Sequence, residues 1–292
     1  MTHARPDKAL TDPEFISTNG VRLHVVRAGP DTGRLVILLH GFPEFWYAWR
    51  HQIGPLAEAG YRVWAPDQRG YSTSDKPAGV AAYTIDILAA DVIGLLDAAG
   101  VEKVGLVGHD WGGAVAWRVA SLYPDRVSRL VVLNAPHGRA LMRRMRQDVA
   151  QLWRSWYIFF FQIPWLPELV LRQLRWALLA RSLRGSSRAG TFSDADLAEY
   201  RHAWSQPGAV SSMINWYRAA LRTRARRTQS ERIVVPTLLI WGARDAFLGR
   251  ELAEASIQEC DNGRLVFIED ATHWVQHEAA DRVNALLMDF LR

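Results

Sequence analysis

One stretch limits the possible folds more than any other: Lys103-Val104-Gly105-Leu106-Val107-Gly108-His109-Asp110-Trp111-Gly112-Gly113-Ala114-Val115-Ala116-Trp117. Residues 104–107 form a short apolar run of strand type, and 114–122 carry a helical pattern. The chain must reverse between them over very few residues. The residue at the apex of such a turn has strained dihedrals, and its neighbours must be small. Gly108 lies two residues before Asp110, and Gly112 and Gly113 lie two and three after it. This is the pattern of a nucleophile elbow, with Asp where Ser is commoner. A helix starting directly behind Asp110 favours its anionic form. The plain alternative is an aspartate that caps a helix N-terminus, as most aspartates before helices do.

The rest of the chain supplies a sheet for this turn. Residues 34–39, 61–65, 127–133, 237–241 and 264–268 are further apolar runs that suit strands buried on both faces. Residues 14–28 read as a hairpin around Asn19-Gly20. Helical patterns near 46–59, 84–99, 113–123, 250–259 and 278–291 separate most of the strands. Alternation of this kind predicts an α/β fold: a mostly parallel eight-stranded sheet with helices on both faces. One interval interrupts it. From 137 to 230 no buried-strand signal occurs, only helical, Arg- and aromatic-rich segments with Pro and Gly breaks. This predicts a core domain of residues 1–136 and 231–292, with a helical lid of 137–230 inserted after the sixth strand.

Composition narrows the function. With 292 residues, 49% of them hydrophobic, the chain can build one large core. Its net charge of +5 comes from clusters such as Arg139/Arg143/Arg144/Arg146 and Arg222/Arg224/Arg226/Arg227. No nucleic-acid motif accompanies them, so they read as solvated helix faces rather than a nucleic-acid surface. Cys260 is the single cysteine, which excludes an internal disulfide and gives no sign of a Cys-based zinc site. Residues 1–15 are polar and contain no apolar core of a signal peptide, which points to the cytoplasm. Residues 156–171 are apolar, but Gln162, Pro164, Pro167 and Glu168 interrupt them, so no integral membrane span is expected.

In an open α/β sheet the functional residues gather beyond the carboxyl ends of the strands. That rule selects His40 to Glu44, Asp67 to Gly70, Asp110-Trp111, Asn134 to Pro136, Gly242 to Asp245 and Asp270 to His273. Asp110, Asp245 and His273 then share one edge, in the order nucleophile, acid, histidine. Asp110 would attack an electrophilic carbon, and His273 would activate the water that hydrolyses the resulting ester. Asp245 would hold the imidazole tautomer. Backbone N–H groups of Phe42 and Trp111 would meet the oxyanion. A carboxylate is a weak base but already charged, so it suits an sp³ carbon with a strained or good leaving group. Epoxides and alkyl halides both qualify.

Three segments carry a family resemblance: residues 40–50 (HGFPEFWYAWR), 65–71 (APDQRGY) and 108–113 (GHDWGG). They resemble the soluble type of α/β-hydrolase-fold epoxide hydrolases, over a length from about residue 14 to the C-terminus. The resemblance implies two lid tyrosines that donate hydrogen bonds to the epoxide oxygen. Residues 157–164 (YIFFFQIP) and 215–218 (NWYR) match the segments that carry them, which designates Tyr157 and Tyr217. The implied partners are a small apolar epoxide and water, with no cofactor and no metal. Phe42, Trp111, Tyr157 and Tyr217 would line the substrate site.

The runner-up is a haloalkane dehalogenase with the same Asp110/Asp245/His273 set. Such enzymes usually carry Asn at the position of Phe42, and fluoroacetate dehalogenases carry Arg at that of Trp111; both departures favour the epoxide. A binding protein on a hydrolase scaffold would not need all three triad groups. His40, His109 and His277 read as structural, with His277 beginning a helix. Glu44 reads as a support for the site, and Asp67 and Arg69 as braces of their loop. Nothing in the sequence fixes an oligomeric state.

Overall fold

The computed structural model describes residues 14–223, 225 and 232–292. Most of residues 1–15, the last predicted lid residues with the boundary at 230/231, and Arg224, Arg226 and Arg227 of the second basic cluster lie outside the described residues.

Eight strands form one sheet: β1 (Glu14–Thr18), β2 (Val21–Ala28), β3 (Leu35–Leu39), β4 (Arg62–Pro66), β5 (Val104–His109), β6 (Val127–Leu133), β7 (Thr237–Gly242) and β8 (Gly263–Ile268). The spatial order is β1-β2-β4-β3-β5-β6-β7-β8. Only β1–β2 and β2–β4 pair antiparallel; from β4 to β8 every pairing is parallel. The predicted Asn19-Gly20 turn closes the first hairpin, with both residues at positive φ. Strands β3, β5 and β7 are buried along their whole length. Helices on both faces explain why their sequences are continuous apolar runs and not alternating ones. The elbow strand β5 lies between β3 and β6, so its carboxyl end opens at the middle of the sheet edge.

Helices α1 (Ile53–Glu58), α2 (Ile85–Ala99) and α3 (Trp111–Leu122) connect the first parallel strands. The pattern expected as one helix over 46–59 is two pieces, a 3₁₀ turn at Trp46–Trp49 and then α1. The Trp46 N–H donates to Asp67 Oδ1 at 2.8 Å, which ties the first piece to the end of β4. Helix α2 stops at Gly100, whose φ of 68° suits a left-handed cap.

Between β6 and β7 the described residues contain helices and turns but no strand: α4 (Gly138–Gln147), α5 (Val149–Arg154), α6 (Trp156–Phe160), α7 (Leu166–Gly185), α8 (Asp194–Ser205) and α9 (Ala209–Arg222). Helix α7 is broken inside, with Leu174, Arg175 and Trp176 at φ 50–67°. A capping box of Ser193 and Asp196 starts α8. Large side chains carry this layer onto the sheet edge. Trp204 Nε1–H donates to the Pro43 carbonyl at 2.6 Å and Trp216 Nε1–H to the Arg69 carbonyl at 3.0 Å. Helices α10 (Arg250–Ile257), α11 (Val275–Glu278) and α12 (Ala280–Phe290) complete the chain. Among the described residues no helix is long and apolar enough to cross a membrane.

Candidate active site

Asp110 sits at the junction of β5 and α3 with φ 48° and ψ −120°, a strained conformation for a residue with a side chain. The small neighbours are sterically required. A Cβ on Gly108 would collide with the Gly112 carbonyl, and one on Gly112 with the Leu39 carbonyl. The Asp110 side chain makes no capping bond to α3, so the plain capping role does not hold. Oδ1 instead accepts from the Phe42 N–H at 2.9 Å, and Oδ2 lies 3.6 Å from His273 Nε2. The second distance is that of an ion pair, too long for a hydrogen bond.

His273 follows β8, and Asp245 follows β7. His273 Nδ1 bonds Asp245 Oδ2 at 2.7 Å. Asp245 is itself pinned: Oδ1 accepts from the Phe247 and Leu248 N–H groups at 2.8 and 3.0 Å. Oδ2 also accepts from Asn134 Nδ2 at 2.7 Å. Three strand ends, far apart in sequence, thus bring Asp110, His273 and Asp245 into one chain of contacts.

The charges follow from these contacts. Burial pushes the His273 imidazolium down, but Asp245 and Asp110 outweigh it and raise its pKa from 6.5 to about 10. Burial pushes the Asp110 carboxyl up, yet His273, His109 and the Phe42 N–H leave it below the usual carboxylate range. The site therefore holds an ionised carboxylate beside an imidazolium at neutral pH.

Tyr157 in α6 and Tyr217 in α9 lie above this edge, with ring centroids 5.8 Å apart. The Tyr217 ring meets Trp111 edge-on at 5.0 Å and Phe42 at 5.2 Å. Tyr157 meets Phe247 at 6.1 Å, and Phe247 meets His273 at 5.3 Å. Burial raises both phenols above their ordinary pKa of 10, and the Asp110 charge pushes each further up. Both hydroxyls stay protonated through the neutral range. The predicted residues Phe42, Asp110, Trp111, Tyr157, Tyr217, Asp245 and His273 are thus brought together.

Several residues of this region support the site in ways the sequence did not specify. Asn134, flagged only as a strand-end residue, bonds Asp245 and also accepts from the Gly242 N–H at 2.8 Å. Gln162 donates to the Tyr217 carbonyl at 3.1 Å, and Arg218 donates to the Phe161 and Ile163 carbonyls at 2.9 and 2.8 Å. These bonds tie the two tyrosine segments together. His109, read as structural, bonds the His273 carbonyl at 2.9 Å, so it holds the backbone of the triad histidine. His277 lies within α11 rather than starting a helix, and its Nε2 meets Glu44 Oε1 at 2.7 Å. Tyr200 and Gln276 also donate to Glu44. Arg69 pairs with Asp91 at 2.6 Å, and Asp67 accepts from His24, so both brace their loop. Among the described residues, no three His, Cys, Asp or Glu side chains are grouped to hold a metal ion.

Residues 34–280 match the alpha/beta hydrolase fold family. The chain is 45% identical to AB hydrolase superfamily protein YfhM of Bacillus subtilis, over 96% of this chain and 97% of that one. It is 38% identical to Epoxide hydrolase 4 of Mus musculus, over 99% of this chain and 83% of that protein. The chain belongs to the α/β-hydrolase fold family, on its epoxide hydrolase branch. A Bacillus megaterium epoxide hydrolase, solved with an inhibitor, superposes on this hydrolase with a TM-score of 0.87. The two are 30% identical, over 95% of this chain and 99% of that one.

Proposed function

We propose that this enzyme converts epoxides to vicinal diols through a covalent ester on Asp110. One observation carries the reading: an ionised aspartate at an elbow apex faces two buried tyrosines that remain protonated. An Asp110 oxygen attacks a ring carbon as the C–O bond breaks, and the alkoxide takes a proton from Tyr157 or Tyr217. The His273 imidazolium restores that proton to the tyrosine and becomes neutral. Esterification removes the Asp110 charge, one of the two that raised His273, so the imidazole returns to a useful range for a base. It deprotonates a water that attacks the ester carbonyl, and the N–H groups of Phe42 and Trp111 receive the oxyanion. One such donor is worth roughly 3–4 kcal/mol. Collapse releases the diol with the proton from His273, and the Asp110 carboxylic acid returns a proton to the imidazole. The balance is one epoxide and one water to one diol.

The substrate class proposed is small and apolar, in keeping with the aromatic surroundings of the tyrosines. Residues 1–136 and 231–292 would act as the core domain and 137–230 as the lid. A dehalogenase reading is not favoured: a halide leaves without a proton, which gives two protonated phenols no task. The test is product analysis with matched aryl epoxides and alkyl halides. Diol formation without halide release is the expected result, whereas halide release alone would overturn the assignment. With His273→Gln, mass spectrometry should find the substrate adduct on the Asp110 peptide.

A further inference from the structure

Twelve large apolar side chains stand exposed among the described residues, and nine of them fall between residues 142 and 178. Trp153, Trp156 and Trp165 are 74%, 58% and 72% exposed, and Phe159 and Ile163 lie between them in sequence. Trp156 and Phe159, three residues apart, share a face of α6, with Trp153 in α5 before it and Ile163 in the turn after it. Tyr157 and Phe161, on the opposite side, turn inward, where both pack against the Tyr217 ring. Helix α6 therefore has two apolar sides, and only one faces protein.

The charge along this segment is mostly positive, although Glu259 pairs with Arg139 and Arg143 on α4. Residues 139–181 contain eight arginines, no lysine and two acids. Both acids are taken, Asp148 by Arg144 and Glu168 by Arg218. Exposed Arg146, Arg154, Arg172, Arg175 and Arg181 have no carboxylate partner among the described residues. On α4, next along the chain, Arg139, Arg143, Arg146, Met142 and Gln147 line an open groove of about 540 Å³.

We propose that this outer face of the 142–178 segment docks on an anionic lipid bilayer. Indole rings between aliphatic side chains, flanked by unpaired guanidinium groups, suit the boundary between headgroups and acyl chains. Phosphate headgroups supply the missing counter-charge. A second copy of this chain fits poorly, because a two-fold contact would set the same unpaired arginines against themselves. Nucleic acid would neutralise the arginines but leave Ile163, Leu169 and Leu178 in water. The protein would lie on the bilayer and not span it, with one helix thickness, about 10 Å, between the lipid and the side of α6 that carries Tyr157.

Co-sedimentation with two vesicle types tests this: phosphatidylcholine alone, and phosphatidylcholine mixed with phosphatidylglycerol. The full chain should partition onto the anionic vesicles about tenfold or more better, and lose that advantage in high salt. Trp153→Ser/Trp165→Ser and Arg154→Glu/Arg172→Glu/Arg175→Glu should each reduce binding about tenfold or more, with unchanged circular dichroism and melting. Arg154→Lys/Arg172→Lys/Arg175→Lys should retain it. Absence of binding, or equal binding of all variants to both vesicle types, would overturn the proposal. So would a concentration-dependent dimer, in sedimentation equilibrium without lipid, that Trp153→Ser/Trp165→Ser abolishes.

Discussion

The carboxyl edge of the sheet and the helical layer above it present their functional groups by different means. At the sheet edge the groups are charged, and backbone or buried polar groups pin them. Asp110 takes the Phe42 N–H, Asp245 takes two further N–H groups and Asn134, and the His273 carbonyl takes His109. In the helical layer the groups are neutral phenols held by the edges of other rings. Polar bonds there brace the backbone behind the tyrosines, through Gln162 and Arg218. The difference follows from solvation. A carboxylate out of water needs fixed dipoles directed at it, whereas a hydroxyl meant to donate to a substrate is best left among apolar neighbours. The sheet edge should therefore tolerate almost no change, and the helical layer should fail by degrees.

Asp110→Ala should give the largest effect. It removes the bond-forming atom, so turnover should fall by at least about 10⁴-fold while folding is kept. Full activity in the purified variant would end the comparison, because the strained elbow would then present nothing. The double variant Tyr157→Phe/Tyr217→Phe comes next. Each hydroxyl is asked for roughly 10²–10⁴-fold of general-acid help. Single variants should lose less than the pair, because the two phenols share one oxygen. A double variant with normal single-turnover alkylation would reassign both rings to packing.

Asn134→Ala sharpens the contrast from the supporting side. It removes one hydrogen bond to a charged carboxylate, an effect of about 1.5–3 kcal/mol, or roughly 10- to 100-fold in rate. The loss should fall on ester hydrolysis, the step in which His273 acts as the base, so the alkyl-enzyme should accumulate in a burst experiment. Loss confined to alkylation would separate Asn134 from the histidine.

Stability should report the charge arrangement with the smallest signal. The His273 pKa is raised from 6.5 to about 10 in the folded state. A raised histidine contributes stability in full below pH 6.5 and loses it as pH rises from 6.5 to 10. Melting temperature should fall across that window, and less so in Asp110→Asn, where one of the two carboxylates is neutral. Identical slopes in both proteins would remove Asp110 as a partner of the imidazolium.

Much of this was legible in the sequence, for local reasons. The central strands β3, β5 and β7 are runs of residues buried on both faces, whereas β8, expected to be buried likewise, is the sheet's edge strand and buries only Ile268 fully. Asn19-Gly20 writes the first hairpin into two letters. The elbow shows because Gly108 and Gly112 have no room for a side chain. Tyr157 and Tyr217 are different. Nothing in their periodicity separates them from core aromatics, and only the resemblance of their segments drew attention to them. Asn134 and Glu44 were harder still, since their partners Asp245 and His277 lie 111 and 233 residues away. Contacts at such separations leave no local pattern. The helix expected over 46–59 is two pieces, and the start of the first is anchored by Asp67, beyond β4, through the Trp46 N–H, another long-range bond.

The central claim is that Asp110 forms the bond to carbon, and the path of one oxygen atom tests it most directly. In ¹⁸O-water, a single turnover by excess enzyme should give largely unlabelled diol. Its new oxygen comes from Asp110, and the solvent oxygen remains on the Asp110 carboxylate. Mass spectrometry of the diol and of the Asp110 peptide reads both. Label in the first-turnover diol, with none in the peptide, would mean that His273 directs water onto the epoxide itself and that Asp110 never bonds to carbon.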